Sequence, residues 1–286
     1  MELKQACYSG TAAVQFASAL VEQRPDRRVL IIASDIARYG LGTPGEPTQG
    51  CGAVAMIVSA EPRLLTLDRE YGVHVEDVMD FWRPNYTDEA IVDGKFSTRM
   101  YLSVLMETFQ QYVQQSGRTC VDLDRFCYHL PFTRMAEKAH IRLAKACGVP
   151  HMTAHMLERQ VGYSMHYNRV SGNSYAASLY IGLASLLDTC PDDLAGQRVG
   201  MYSYGSGCVG EYFSGVVPRE YRSHLHAAEH EAMLRNRIEL SYPEYEHMYQ
   251  YRIPSDGGDH AIPKHETGHY RLAAVSGHKR IYETIP

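Results

Sequence analysis

The sequence predicts an α/β fold built in layers, and three observations predict it. Two short apolar runs, "RRVLIIASD" at 27–35 and "GCGAVAMIVSA" at 50–60, carry no polar alternation, as in strands covered on both faces. Segments with apolar residues at helical spacing stand before and after them. Helix followed by buried strand is the pattern of layered α/β domains. The bulk composition agrees: 286 residues, 45% hydrophobic and 21% charged, suffice for a sizeable core.

The elements follow in order. Residues 10–23 place Ala13, Phe16, Ala17, Leu20 and Val21 on one helical face. After the two strand runs, "STRMYLSVLMETFQQYVQQSG" (97–117) begins at a Ser/Thr cap. It sets Tyr101, Leu105, Phe109 and Tyr112 on one face and stops at Gly117. "RFCYHLPF" (125–132) reads as a strand entering a proline turn. "TRMAEKAHIRLAKACG" (133–148) reads as a helix capped by Thr133 and closed by Gly148. Residues 173–188 form a further amphipathic helix, and 198–217 read as strand, glycine turn, strand. Helical stretches near 222–238 and 242–250 follow, and the polar last 35 residues are expected to hold little structure. No repeat, low-complexity linker or clear domain boundary interrupts the chain.

Composition excludes several classes. A net charge of -5 without a Lys/Arg run argues against nucleic acid. The longest apolar runs are far too short to span a bilayer, and no secretory signal pattern opens the chain, so no membrane partner is expected. Seven cysteines at 7, 51, 120, 127, 147, 190 and 208 include no C-x-x-C pair. An odd number so spaced predicts neither a disulfide framework nor a zinc site. It suits a reducing cytoplasm in which most of these thiols are buried fillers.

Four positions carry candidate chemistry. Cys7 stands in a turn ahead of a helix, where the helix N-terminus lowers a thiol's pKa and favours a nucleophile. His129 leaves a strand at a Pro-Phe turn and can serve as a proton-transfer partner. Asn173 stands at a helix start, where an N-cap alone explains an asparagine and an amide can also bind a carbonyl. In "YSYGSG" (202–207), glycines around Ser206 let backbone N–H groups approach a ligand, as an oxyanion hole requires. Taken singly, each has a structural reading that is the more common one.

Seven blocks in fixed order weigh more than any one position: "KQACYSGTAAVQFA", "DIARYG", "GEPTQGCGAVAM", "EDVMDFWRPNY", "CYHLPFTRMAEKA", "YNRVSGNSYAASLY" and "SYGSGCVGEYFSG". Together they resemble hydroxymethylglutaryl-CoA synthase of the bacterial type, from residue 2 to about 250. The resemblance implies a thiolase-like α-β-α-β-α architecture with its first half truncated. It divides the chain into a remnant of the N-terminal half at 1–61 and a C-terminal half at 62–286. It implies Cys7 as the residue that accepts an acetyl group from acetyl-CoA and His129 as the partner of the acetoacetyl carbonyl. Tyr39 lines the acyl pocket, Asn173 contacts the acetoacetyl group, and Ser206 offers its N–H to an oxyanion. Arg134 and Lys138 would meet coenzyme A phosphates. Arginine stands at the first of these positions where the family shows lysine, and it can bind a phosphate bidentately.

The implied reaction condenses acetyl-CoA with acetoacetyl-CoA and water to 3-hydroxy-3-methylglutaryl-CoA, toward mevalonate and isoprenoids. It takes place in the cytoplasm, in a homodimer, with no cofactor or metal beyond the thioester substrates. The family's base is a glutamate upstream of the nucleophile, and only six residues precede Cys7. The expectation is a chain unable to complete the condensation, either an acyl-CoA-binding remnant or one partner of a second subunit. "CYHLPFTRMAEKAH" is similar to the polyketide β-branching synthases, which act on acyl carrier proteins. "GLGTPGEPTQGCGAV", lacking a longer insertion, is more similar to the mevalonate branch. A ketosynthase III is disfavoured because Leu-Pro-Phe follows His129.

Overall fold

A computed structural model describes residues 1–264 and 268–285. The chain divides into two compact units, Met1–Arg237 and Ile238–Pro286, a division that no change of composition announces.

The first unit opens with α1 (Ser9–Gln23), then β1 (Arg28–Ile36) and β2 (Cys51–Ser59), which pair antiparallel in a hairpin sheet of their own. β3 (Thr66–Val75), the short pair β4 (Phe81–Trp82) and β5 (Ile91–Val92), and α2 (Gly94–Ser116) follow. Next come β6 (Arg125–Tyr128), α3 (Thr133–Ala146), α4 (Ala154–Gln160), α5 (His166–Ser171) and α6 (Ser178–Thr189). β7 (Arg198–Gly205), β8 (Val209–Val216) and α7 (Ala227–Arg235) complete the unit. β3, β8, β7 and β6 form one sheet in that order, with β6 and β7 parallel and the other pairs antiparallel.

Two cores separate the layers. Val14 and Ala17 of α1, Leu179 and Leu186 of α6, Ile31 of β1, and Met201 and Phe213 of the larger sheet share one core. α1 and α6 therefore lie between the two sheets. Tyr101, Leu105 and Phe109 of α2 and Met135 and Leu143 of α3 pack on the opposite face of the larger sheet, against Phe126, Tyr202 and Tyr212. The layered α/β fold read from the sequence is thus present as sheet, helices, sheet, helices.

Several details differ from the sequence reading. β1 and β2 are covered on one face only: Ile31 and Ala33 are buried, whereas Leu30, Ile32, Ile36 and Ile57 are each more than 60% exposed. Period-two burial hides here under an unbroken apolar run, because both faces of the hairpin carry aliphatic side chains. On α1 the buried stripe is Gly10, Thr11, Val14, Ala17 and Val21, and Phe16 and Leu20 are exposed. The helix turns its small side toward the core because Gly10 lies against the Ala176 carbonyl, where a Cβ would come within 2.3 Å. Asp93, rather than a Ser or Thr, caps α2 by accepting from Phe96 N at 3.0 Å, and Gly117 closes it at φ 69°. Phe132 holds the N-cap position of α3, with Thr133 as its first residue.

Cysteine usage also departs from expectation. Cys120 and Cys147 form a disulfide with Cα atoms 6.1 Å apart. Their separation of 27 residues gives no local signal, and it is the turn of chain through β6 and α3 that brings them together.

In the second unit, α8 (Tyr242–Gln250) opens with a capping box between Ser241 and Glu244. The tail, expected to be unstructured, forms an antiparallel sheet of β9 (His260–Ala261), β10 (Tyr270–Ser276) and β11 (Lys279–Thr284). Residues 265–267 and 286 of that tail lie outside the described residues. Asp259 fixes the β10–β11 turn by accepting from Ser276 Oγ at 2.9 Å and Gly277 N at 2.8 Å.

Candidate active site

The parallel register of β6 and β7 sets Tyr128 opposite Tyr202, so both strands run out at the same end of the sheet. His129 leaves β6 there, and the G-S-G turn leaves β7 three residues beyond Tyr202. The C-terminal ends of adjacent parallel strands are where open α/β sheets commonly place their ligands.

Cys7 reaches this end from the other side. It precedes α1, is 8% exposed, and packs with Tyr39 and Tyr175, flanked by Ala37 and Phe81. The end of β7 presses on the chain around it, at Tyr8 and Gln5. At Gly205 a Cβ would lie 2.7 Å from Tyr8 N and Cβ and 2.8 Å from the Gln5 carbonyl, so only glycine admits this approach. The backbone of the Ser206 turn is thereby held beside the Cys7–Tyr8 peptide.

Asp80 anchors that turn. Fully buried, its carboxylate accepts from Gly207 N at 3.0 Å, Tyr204 OH at 2.9 Å and Ser97 Oγ at 3.0 Å. Tyr8, next to the cysteine, donates its OH to the buried Glu211 at 2.6 Å, and Gln15 Nε2 donates to the same carboxylate. Thr11 donates to Ser203 Oγ at 2.8 Å and accepts from Tyr180 OH at 3.0 Å. These bonds fasten the start of α1 to β7, β8 and α6.

The electrostatics at Cys7 reverse one expectation. Its thiol is held well above the ordinary cysteine value, first by burial and then by the Asp35 and Asp80 carboxylates. Desolvation and two nearby negative charges outweigh the favourable end of α1. The raised pKa favours the neutral thiol over the thiolate.

His129 is buried, and burial pushes its imidazole down to about 3, so the ring is neutral at physiological pH. Its backbone is fixed on both sides: His129 N donates to the Tyr202 carbonyl at 2.8 Å, and its own carbonyl accepts from Tyr101 OH at 2.8 Å. Nδ1 has no hydrogen-bond partner among the described residues. A neutral ring with a spare nitrogen can meet a ligand carbonyl or hydroxyl.

Asn173 Oδ1 accepts from Tyr175 N at 2.9 Å, a side-chain turn one residue ahead of Ser174, which holds the N-cap position expected of Asn173. The bond supports Tyr175, which stands at φ 49° with its ring in the Cys7 cluster. Tyr39 belongs to the same cluster, in ring contact with Phe81 at 5.6 Å. Arg134 and Lys138 lie apart from these groups, on the exposed side of α3, one turn from each other. Arg134 Nε stands 3.8 Å from Glu137, and Lys138 Nζ lies 5.4 Å from the Phe132 ring centre.

Sequence reasoning passed over Asp35, Asp80, Tyr175 and Glu211. The signal for Asp80 was a lone carboxylate between Met79 and Phe81, an apolar setting that only a buried partner network explains. Asp35 marks a boundary: its carboxylate accepts from Ile36 N at 2.9 Å and Ala176 N at 3.3 Å. It also lines a hollow of about 370 Å³ with Ser34, Ile36, Cys51 and Gly52.

Comparisons with known proteins converge. Residues 1–62 match the model of the hydroxymethylglutaryl-coenzyme A synthase N-terminal family, and residues 65–147 and 144–270 match that of the C-terminal family. A hydroxymethylglutaryl-CoA synthase of Enterococcus faecalis is 40% identical over 255 residues, covering 89% of this chain and 66% of that protein. The polyketide biosynthesis 3-hydroxy-3-methylglutaryl-ACP synthase PksG of Bacillus subtilis is 33% identical, covering 87% of this chain and 63% of that protein. The chain thus spans just under two thirds of the length of these curated relatives. Among solved structures, an HMG-CoA synthase complexed with CoA superposes with a TM-score of 0.92 at 38% identity, over 100% of this chain and 73% of that one. The HMG synthase of the curacin biosynthetic pathway in complex with holo donor-ACP gives 0.88 at 31% identity, over 100% and 74%.

Proposed function

The chain belongs to the hydroxymethylglutaryl-coenzyme A synthase family, and from that premise we propose that it accepts an acetyl group from acetyl-CoA on Cys7. The observation that carries the proposal is the close packing of Gly205 on Tyr8, which holds the start of the Ser206 turn beside the residue that follows Cys7. Attack of the Cys7 sulfur on the acetyl carbonyl generates an oxyanion, and the N–H groups of Cys7 and Ser206 receive it. The thiol proton leaves in that step and coenzyme A departs as its thiol, leaving a thioester. The raised thiol pKa keeps Cys7 uncharged at rest, and the thioester that replaces the thiol is uncharged as well, so acylation leaves no charge for the buried site to penalise.

Condensation with acetoacetyl-CoA is the second stage of the proposal. Loss of a methyl proton from the acetyl thioester gives an enolate-like carbon, which attacks the ketone, and water then releases 3-hydroxy-3-methylglutaryl-CoA. His129, through its unpartnered Nδ1, and Asn173 would hold the acetoacetyl carbonyl. Tyr39 would wall the acyl pocket, and Arg134 and Lys138 would meet the coenzyme A phosphates. Asp35 and Asp80, the carboxylates that act on the Cys7 thiol, are already engaged by backbone and hydroxyl donors. Acylation is therefore the half-reaction these residues support best. The reading needs no cofactor beyond the thioesters, places the chain in a cytoplasmic mevalonate route as a homodimer, and treats 1–61 and 62–286 as its two family halves. Among the described residues no helix is long and apolar enough to cross a membrane.

Incubation with acetyl-CoA followed by intact-mass measurement tests the proposal. One acetyl adduct is expected, absent in Cys7→Ala. No adduct, or an adduct retained by that variant, would leave the chain as a non-catalytic acyl-CoA-binding member. A second reading, with acyl carrier protein as donor, is favoured by the exposed basic stripe Arg134, Lys138, Arg142 and Lys145 on α3. Faster acylation from acetyl carrier protein than from acetyl-CoA would select it.

A further inference from the structure

We propose that Cys120 and Cys147 are a reversible dithiol–disulfide site that controls the local stability of the segment carrying His129. The two cysteines bracket one structural unit. Cys120 begins the turn that follows α2, and Cys147 is the C-cap of α3. Between them run β6, His129 and the whole of α3 with Arg134 and Lys138.

That unit is held unequally. Among the described residues β6 is the edge strand of its sheet and pairs with β7 alone. α3 holds it down through Met135, Ala136, Ala139 and Leu143, all buried in the outer core. The disulfide closes the unit at both ends, so with it intact β6 and α3 cannot peel away separately. Without it, opening of the edge is resisted by packing alone.

The site is also chemically placed for exchange. Both sulfurs belong to partly buried residues at the rim of the core. Their neighbours Thr119, Val121, Ala146 and Gly148 are exposed, so a small disulfide can reach them. Cys7, Cys127, Cys190 and Cys208 are buried, and Cys51 is exposed but free. Oxidation is a two-step exchange with a low-molecular-weight disulfide such as oxidised glutathione. One protein thiolate attacks it, forming a mixed disulfide and releasing one glutathione thiolate. The second protein thiolate then displaces the other. Two protein thiols are oxidised, and one glutathione disulfide is reduced to two glutathiones.

The test equilibrates the full chain in glutathione buffers of graded ratio, quenches with acid, and counts alkylated cysteines by peptide mass. In parallel, hydrogen exchange is followed for 125–146 and for β7–β8. A saturable Cys120–Cys147 disulfide is expected. In the oxidised form the amides of β6 and α3 should exchange up to about 400-fold more slowly, the loop-closure effect for a ring closed across 27 residues. β7 and β8 should change far less. Cys120→Ser and Cys147→Ser should show the reduced pattern in every buffer. A pair that stays dithiol in all buffers, or exchange at 125–146 indifferent to its oxidation, would overturn the proposal.

Discussion

Asp80→Ala removes the carboxylate that fixes the Ser206 turn, and the structure sets the size of its effect. Three donors lose their acceptor: Gly207 N, Tyr204 OH and Ser97 Oγ. The Ser97 hydroxyl can turn to water, which leaves the buried Tyr204 OH and the partly buried Gly207 N without an acceptor. Hydrogen bonds to a charged group contribute about 1.5–3 kcal/mol each, which puts the loss at about 3–6 kcal/mol. Against a total stability of about 5–15 kcal/mol this is a large share. Asp80→Asn separates geometry from charge. Its carbonyl can still accept from Gly207 N–H, and its NH₂ can donate to the Tyr204 and Ser97 hydroxyls, which reverse their roles. A cost of only about 1 kcal/mol is expected for that variant. Both variants remove one of the charges that hold the Cys7 thiol up, so alkylation of Cys7 should set in at lower pH. Urea unfolding followed by the single tryptophan, Trp82, two residues from the substitution, measures stability. Iodoacetamide alkylation across pH measures the thiol. A loss below about 1 kcal/mol for Asp80→Ala would refute the anchoring role. An unchanged pH profile of Cys7 in Asp80→Asn would refute the electrostatic one.

Two further outcomes follow from other parts of the molecule. His230 stands 2.7 Å from the buried Asp188 carboxylate, with the Tyr167 OH on the same oxygen, and this hydrogen bond raises the imidazole's pKa. The stability it contributes is fully present below about pH 6.5, the unfolded value, and is lost as pH rises through the higher folded value. α7 buries no residue of its own, so its docking should weaken toward alkaline pH, and His230→Gln should flatten that dependence in hydrogen exchange of α7. On the outer face of the hairpin, Ile32→Thr and Ile57→Thr replace exposed aliphatic side chains without touching Ile31 or Ala33. Stability should change by less than about 0.5 kcal/mol while light scattering of the concentrated chain falls. Unchanged scattering would show that this face does not drive association.

Much of the candidate site was legible because its parts are punctuation. A cysteine before a small-residue helix, a histidine ahead of Leu-Pro-Phe and a G-S-G turn each impose local geometry that a sequence displays, whereas the cap expected at Asn173 falls one residue later, on Ser174. Tyr101, Leu105, Phe109 and Tyr112 announced the buried face of α2 by spacing alone, and all four are buried. Phe16 and Leu20 had the same spacing and misled. The face of α1 is chosen by the close approach of Gly10 to the Ala176 carbonyl, a contact across 166 positions of the chain. The hairpin misled for a related reason: aliphatic residues on both faces hide which one is covered.

From local spacing and turn chemistry alone came α1, β1, β2, α2, β6, α3, α6 and the β7–β8 pair in order, with the residue types that acyl transfer needs, whereas β3, α4, α5 and the tail sheet were not legible. Tertiary structure alone decided what those residues experience. Cys7 lies among aromatic rings and near two carboxylates, which raise its thiol where helix position by itself would lower it. His129 is neutral because it is buried, and Gly205 matters because Tyr8 lies against it. Cys120 reaches Cys147 only because α3 folds back on the end of α2. Desolvation, charge proximity and backbone contact depend on distances in space between residues remote in sequence, and no local pattern encodes them.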